Sequence, residues 1–143
     1  NMLNLFTGSI DVPLTERGRK EAKQIGQFMR MYPMNKAYTS SLGRAQDTLK
    51  IILKKSVSEK IPVIIASELN ERNYGSLQGK NKSETEAEFG AEQVHKWRRH
   101  YDARPPGGES LKDTFNRTVP YYKKYIFRDL KEGKNIMVVA HGN

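Results

Sequence analysis

Apolar residues recur along the chain at helical spacing in some stretches and as short continuous runs in others, and these mark out its elements. Residues 1–14 read as a loop punctuated by Gly8, Asp11 and Pro13. Ala22, Ile25, Phe28 and Met29 stand at helical spacing, which predicts a helix from an N-cap at Thr15 to about Met31, ended by Pro33. A short strand is expected over Lys36–Thr39. A second helix follows, with the stripe Leu42, Ala45, Leu49, Ile52 and Leu53, capped by Ser40 or Ser41. Ile61–Ala66 is a compact β-rich run and reads as a buried strand. Residues 67–82 carry no period and read as an irregular loop with Gly75 and Gly79. Ser83 with Glu86 three residues on forms a capping box that opens a helical region reaching about His100. Pro105-Pro106-Gly107-Gly108 marks a turn. Ser110 starts another helix, with Leu111, Phe115, Val119, Tyr122 and Ile126 along one side. Pro120 should kink or split it, and Gly133 suits its C-terminal cap. Ile136–Ala140 is a continuous apolar strand that stops at His141-Gly142-Asn143.

Strands alternating with helices imply an α/β fold with a mostly parallel sheet. Ligands of such sheets sit at the carboxyl ends of strands. Two polar clusters fall there: Thr39-Ser40-Ser41 followed by Arg44, and His141-Gly142-Asn143.

The length of 143 residues suits one domain. No apolar run approaches the roughly 18–20 residues needed to cross a bilayer, and nothing at the start has the form of a signal peptide. Membrane association is therefore not expected, and a cytoplasmic location is the default. The absence of cysteine excludes disulfides, thiol catalysis and zinc–thiolate sites. A net charge of +9, from 25 basic and 16 acidic residues, points to an anionic partner: nucleic acid, a membrane surface or a phosphorylated small molecule.

Taken singly, the candidate residues stay ambiguous. An imidazole at the carboxyl end of a strand, as at His141, can face a pocket, but a hydrogen-bonded structural histidine is the favoured reading of that residue alone. His95 and His100 sit in a charged helix and read as surface residues. A partly buried carboxyl at Glu68 or Glu71 can act as general acid or base, or can pair with Arg72. Trp97-Arg98-Arg99 offers two guanidinium forks, suited to phosphate or carboxylate oxygens, or else a solvated basic patch. Arg44 near a helix N-terminus is the better phosphate candidate, because free amide N–H groups there also favour an anion. Neither a P-loop nor a dinucleotide fingerprint is present.

Read together, these segments resemble the cofactor-dependent phosphoglycerate mutases of the histidine phosphatase superfamily. The likeness is carried by Leu5-Phe6-Thr7-Gly8 and Asp11-Val12, by Tyr38-Thr39-Ser40-Ser41-Leu42 with Arg44-Ala45, and by Leu69-Asn70-Glu71-Arg72 with Tyr74-Gly75 and Leu77-Gln78-Gly79. It continues through Asn81-Lys82, Glu92-Gln93-Val94 with Trp97-Arg98-Arg99, Gly108-Glu109-Ser110-Leu111 and Ala140-His141-Gly142-Asn143. Ser9, Asn73 and Lys80 stand where the family commonly has tryptophan, histidine and leucine.

The resemblance implies a three-layer α/β/α fold and interconversion of 2- and 3-phosphoglycerate in glycolysis and gluconeogenesis. A transiently phosphorylated histidine and a priming 2,3-bisphosphoglycerate take part, and no metal is used. It places that histidine, in an Arg-His-Gly motif ending the fold's first strand, before Asn1, and the family's C-terminal region after Asn143. On this reading residues 1–143 are a single incomplete domain, expected to be inactive by itself and to leave an apolar slot in its sheet. Glu71 would exchange a proton with the substrate hydroxyl. His141 would stabilise the transferring phosphoryl group. Asn1, Thr7, Gly8, Arg44, Gly142 and Asn143 would line the phosphate pocket, and Tyr74, Lys82, Arg98 and Arg99 would hold the far carboxylate or second phosphate. The resemblance allows a homodimer or other homo-oligomer. A basic pocket for a small polyanion accounts for the net charge without nucleic acid. A broad phosphatase on the same fold is the alternative, against which the Leu69–Lys82 block speaks. A basic nucleic-acid module rests only on the aromatic and basic residues of Trp97–Tyr101.

Overall fold

The computed structural model of the chain describes residues 4–143. They form two compact units. One takes Asp11–Asn70 and Val119–Gly142; the other takes the described chain up to Ile10, Glu71–Thr118 and Asn143.

The first unit is built on a parallel sheet. β1 (Lys36–Thr39) lies between β2 (Val63–Ile65) and β3 (Ile136–Val139), with Tyr38 level with Ile64 on one side and Val138 on the other. Alternate residues of a strand face opposite ways. Ala37 and Met137 therefore pack with Ala22 of α1 (Glu16–Phe28) and with Leu49, Ile52 and Leu53 of α2 (Gly43–Lys55). Tyr38 and Ile136 turn to the other face and pack with Ala66, Leu69, Ile126 and Tyr121. Helical chain thus covers both faces, giving the expected α/β layering. Below the amino ends of β1 and β3, the buried Asp129 of α6 (Phe127–Lys131) accepts from Lys36 Nζ at 2.7 Å, Tyr38 Oη at 2.5 Å and Lys134 Nζ at 2.7 Å.

The stretch Ile61–Ala66 departs from its expected burial. Val63 is 42% exposed and Ile65 55%, because β2 is at the edge of the sheet; Ala66, just beyond it, is buried, and Ile61 packs partly buried against the core. The caps also differ. Thr15 Oγ1 accepts from the Gly18 N–H as expected, but neither Ser40 nor Ser41 caps α2. The Asp11 carboxylate does so, accepting from the N–H groups of Gly43 at 2.8 Å and Arg44 at 3.4 Å.

In the second unit, Phe6, Leu77 and Val94 form the core with Tyr74 and Trp97 beside it. Asn81, rather than Ser83, caps α3 (Lys82–Phe89), its Oδ1 accepting from the N–H groups of Ser83 and Glu84. The helical region is divided at Gly90, whose φ of +85° suits a residue without Cβ, and resumes as α4 (Ala91–Arg99). α5 (Leu111–Tyr121) contains Pro120, and a π-helical turn over Tyr122–Ile126 follows at once. Proline has no N–H to donate to the preceding turn, so the regular ladder is interrupted there.

Candidate active site

At the carboxyl ends of β1 and β3, the Thr39 hydroxyl donates to the Val139 carbonyl at 2.8 Å. Just beyond those strand ends, the buried Ser40 hydroxyl lies 2.7 Å from His141 Nε2 and also accepts from the Leu42 N–H at 3.2 Å. His141 is half-buried and its ring is oriented by a core hydroxyl, while Gly142 beside it is exposed. Ser41 is tied down separately, with Asn70 Oδ1 accepting from both its N–H and its hydroxyl at 2.8 Å. Arg44 sits half-buried in the first turn of α2. The expectation that free amides there would bind an anion is overturned, since Asp11 occupies the N–H groups of Gly43 and Arg44. Arg44 keeps only its side chain for that role.

Glu71 belongs to the other unit. Its Oε1 accepts from the Arg72 backbone N–H at 2.7 Å and from Asn143 Nδ2 at 3.0 Å. The structure brings Glu71 and Asn143 together across 72 positions of sequence. The segment after Glu71 is clamped from α5. Arg117 donates to the Glu71 carbonyl at 3.3 Å and makes a two-pronged ion pair with Glu109. Glu109 in turn accepts from the Asn73 N–H at 2.9 Å. Burial alone would raise the Glu109 carboxyl; the Arg117 guanidinium and the Asn73 N–H outweigh it and hold the carboxyl below its usual range. Neither Glu109 nor Arg117 was singled out for a role from sequence. Only the block Gly108-Glu109-Ser110-Leu111 pointed to one of them.

The same unit carries the residues expected at the far end. Tyr74 packs at a tilt of 53° against Phe6, ring centres 5.1 Å apart, and Lys82 Nζ lies 6.0 Å from the centre of the Phe6 ring. Arg98 is half-buried and 3.5 Å from Glu86, and Arg99 is exposed. Gly8 is buried with a φ of +52°, and a Cβ there would run into Gln78 Oε1 and the Arg72 carbonyl. Thr7 beside it is half-buried. Asn1 lies outside the described residues. His95 and His100 are exposed, as expected. Arg72 does not direct its guanidinium to Glu71: it bonds the carbonyls of Trp97 and Arg98 and the Tyr74 hydroxyl. Among the described residues, no group of three or more histidines and carboxylates gathers as metal donors, and no helix is long and apolar enough to cross a membrane.

The sequence model of the histidine phosphatase superfamily (branch 1) matches residues 1–143. The chain belongs to this superfamily. Its relatives in the superfamily include the 2,3-bisphosphoglycerate-dependent phosphoglycerate mutase 2 of Gloeobacter violaceus, 52% identical over the whole chain and 65% of that protein. The 2,3-bisphosphoglycerate-dependent phosphoglycerate mutase of Cytophaga hutchinsonii is 50% identical over the whole chain and 67% of its own length. The chain thus spans about two-thirds of the curated relatives it matches. Among solved superfamily folds, a mycobacterial glucosyl-3-phosphoglycerate phosphatase in complex with VO3 superposes with a TM-score of 0.85 at 26% identity, over 99% of this chain and 70% of that one.

Proposed function

We propose that the protein is a 2,3-bisphosphoglycerate-dependent phosphoglycerate mutase, which interconverts 3- and 2-phosphoglycerate in the cytoplasm. The observation that carries the reading is the orientation of Glu71, with two N–H donors on one carboxylate oxygen and its backbone held from Arg117. A carboxylate so held can take a proton from, and return it to, a substrate hydroxyl. The names of relatives at 52% and 50% identity support the same reading.

Phosphoryl transfer depends on positioning and charge stabilisation. His141, held by Ser40, would meet the charge on the transferring group, and Arg44 would hold its oxygens. Thr7, Gly8, Gly142 and Asn143, with Asn1, would be further phosphate-binding residues. Tyr74, Lys82, Arg98 and Arg99 would grip the far carboxylate or phosphate. A half-buried arginine, an exposed arginine beside it, a lysine and a phenol make a donor set suited to a polyanion, so these residues fit 2,3-bisphosphoglycerate. When bound, it supplies the phosphoryl group that primes the enzyme.

The deciding assay follows 3-phosphoglycerate by phosphorus NMR with the full-length protein that carries this chain. Formation of 2-phosphoglycerate that depends on added 2,3-bisphosphoglycerate is the expected outcome. Release of inorganic phosphate without 2-phosphoglycerate would instead favour the phosphatase reading, which the fold match to a phosphatase supports.

A further inference from the structure

Arg72 is 0% exposed. Burying a guanidinium is costly unless its charge and its donors are met, and a carboxylate is the usual answer. Here the partners are neutral. Nη1 donates to the Trp97 carbonyl at 3.0 Å, and Nη2 donates to the Arg98 carbonyl at 3.1 Å and to Tyr74 Oη at 3.0 Å. The guanidinium also lies 4.5 Å from the centre of the Tyr74 ring, and its Nε has no hydrogen-bond partner. The two carbonyls belong to the last turn of α4, the negative pole of that helix. A neutral core side chain would spare the desolvation, so the arrangement is not the one that stability alone would select.

What the fork does achieve is geometric. The carbonyls it holds are those of the peptide units leading into Arg98 and Arg99, and its third acceptor is the Tyr74 hydroxyl. We infer that Arg72 is a positioning residue for substrate. Its planar fork fixes the end of α4 and the Tyr74 hydroxyl in one arrangement, so that Arg98, Arg99 and Tyr74 form a preorganised clamp for the far anionic group of a phosphoglycerate. Preorganisation lowers the entropy lost when the ligand binds. A lysine keeps the charge but cannot hold three acceptors in one plane. The inference rests on the functional reading above for the identity of the anion.

The test compares the wild-type chain with Arg72→Lys and Arg72→Met. Affinities for 2,3-bisphosphoglycerate, 3-phosphoglycerate and inorganic phosphate are measured by calorimetry. The side-chain N–H signals of Arg98, Arg99 and Trp97, the sole tryptophan, are followed by nitrogen-15 NMR. Both variants are expected to bind the two phosphoglycerates at least about tenfold more weakly, with the three side-chain signals displaced even without ligand and no rescue by lysine. If Arg72→Met does not fold, Arg72→Lys decides. In the wild type itself, the Arg72 Nε–H signal should shift when 2,3-bisphosphoglycerate is added, and an unmoved signal would count against the clamp. Unchanged affinities with unmoved side-chain signals would reduce Arg72 to a packing residue while leaving the substrate reading intact. A wild-type chain that binds inorganic phosphate but neither phosphoglycerate would sink the substrate reading, and the displacement of the Arg98 and Arg99 signals would then decide the role of Arg72 alone.

Discussion

Glu71 Oε1 accepts two hydrogen bonds, one from its neighbour's backbone and one from Asn143. Glu71→Gln keeps the shape of the side chain but cannot exchange a proton. Turnover should fall by about 10²- to 10⁴-fold, while the affinity for 3-phosphoglycerate stays within about twofold. Steady-state kinetics with calorimetric binding on the same preparation separate the two; a fall in affinity matching the fall in rate would make Glu71 a binding group instead. The residue itself was legible in the motif Leu69-Asn70-Glu71-Arg72. Its orientation was not, because Asn143 lies 72 positions away and no local pattern links them. The direction of Arg72 was open for the same reason. Pairing with Glu71 was the simple reading of adjacent opposite charges, yet the guanidinium turns to carbonyls 25 and 26 positions on.

Among the elements, α2 shows how capping links a loop to the site. Its stripe Leu42, Ala45, Leu49, Ile52 and Leu53 was plain from periodicity, and all five residues are buried. Its cap was not, because the Asp11 carboxylate arrives from 32 positions upstream. Asp11→Ala should leave the N–H groups of Gly43 and Arg44 without that acceptor and destabilise the fold by about 1 kcal/mol. The fall in melting temperature measures it, and an unchanged value would mean that water serves the helix end equally well. β2 teaches the converse. A run as apolar as Ile61–Ala66 looks the same in sequence whether it lies at the centre of a sheet or at its edge. Its position depends on strand order, which places it outside β1.

For the molecule as a whole, the Asp129 cluster sets a pH window. Hydrogen bonds from Lys134, Lys36 and Tyr38 hold the Asp129 carboxyl well below the usual range. Its contribution to stability is therefore complete above about pH 4, the ordinary carboxyl value, and is lost as pH falls through the folded-state value. Lys36 and Lys134 are raised, chiefly by their hydrogen bonds to Asp129. Their contribution is complete below about pH 10, the ordinary lysine value, and is lost as pH rises through the folded-state values. Asp129→Asn should lower the melting temperature most between these limits and flatten the profile at both ends. Equal losses at every pH would show that packing, rather than charge, holds the cluster.

The amino-acid sequence by itself determined what is local. Helical spacing and short continuous apolar runs set the order of helices and strands, Thr15 and Gly133 marked helix ends, and short motifs named Glu71, His141 and Arg44. Such signals arise from neighbours a few residues apart. Only the tertiary structure decided which groups meet. Ser40 lies against His141 across 101 positions, Asn143 on Glu71 across 72, and Asp11 on the first turn of α2 across 32. These hydrogen bonds form because strand order and helix packing bring distant backbone together, and the energy of each depends on distances that no window of sequence contains.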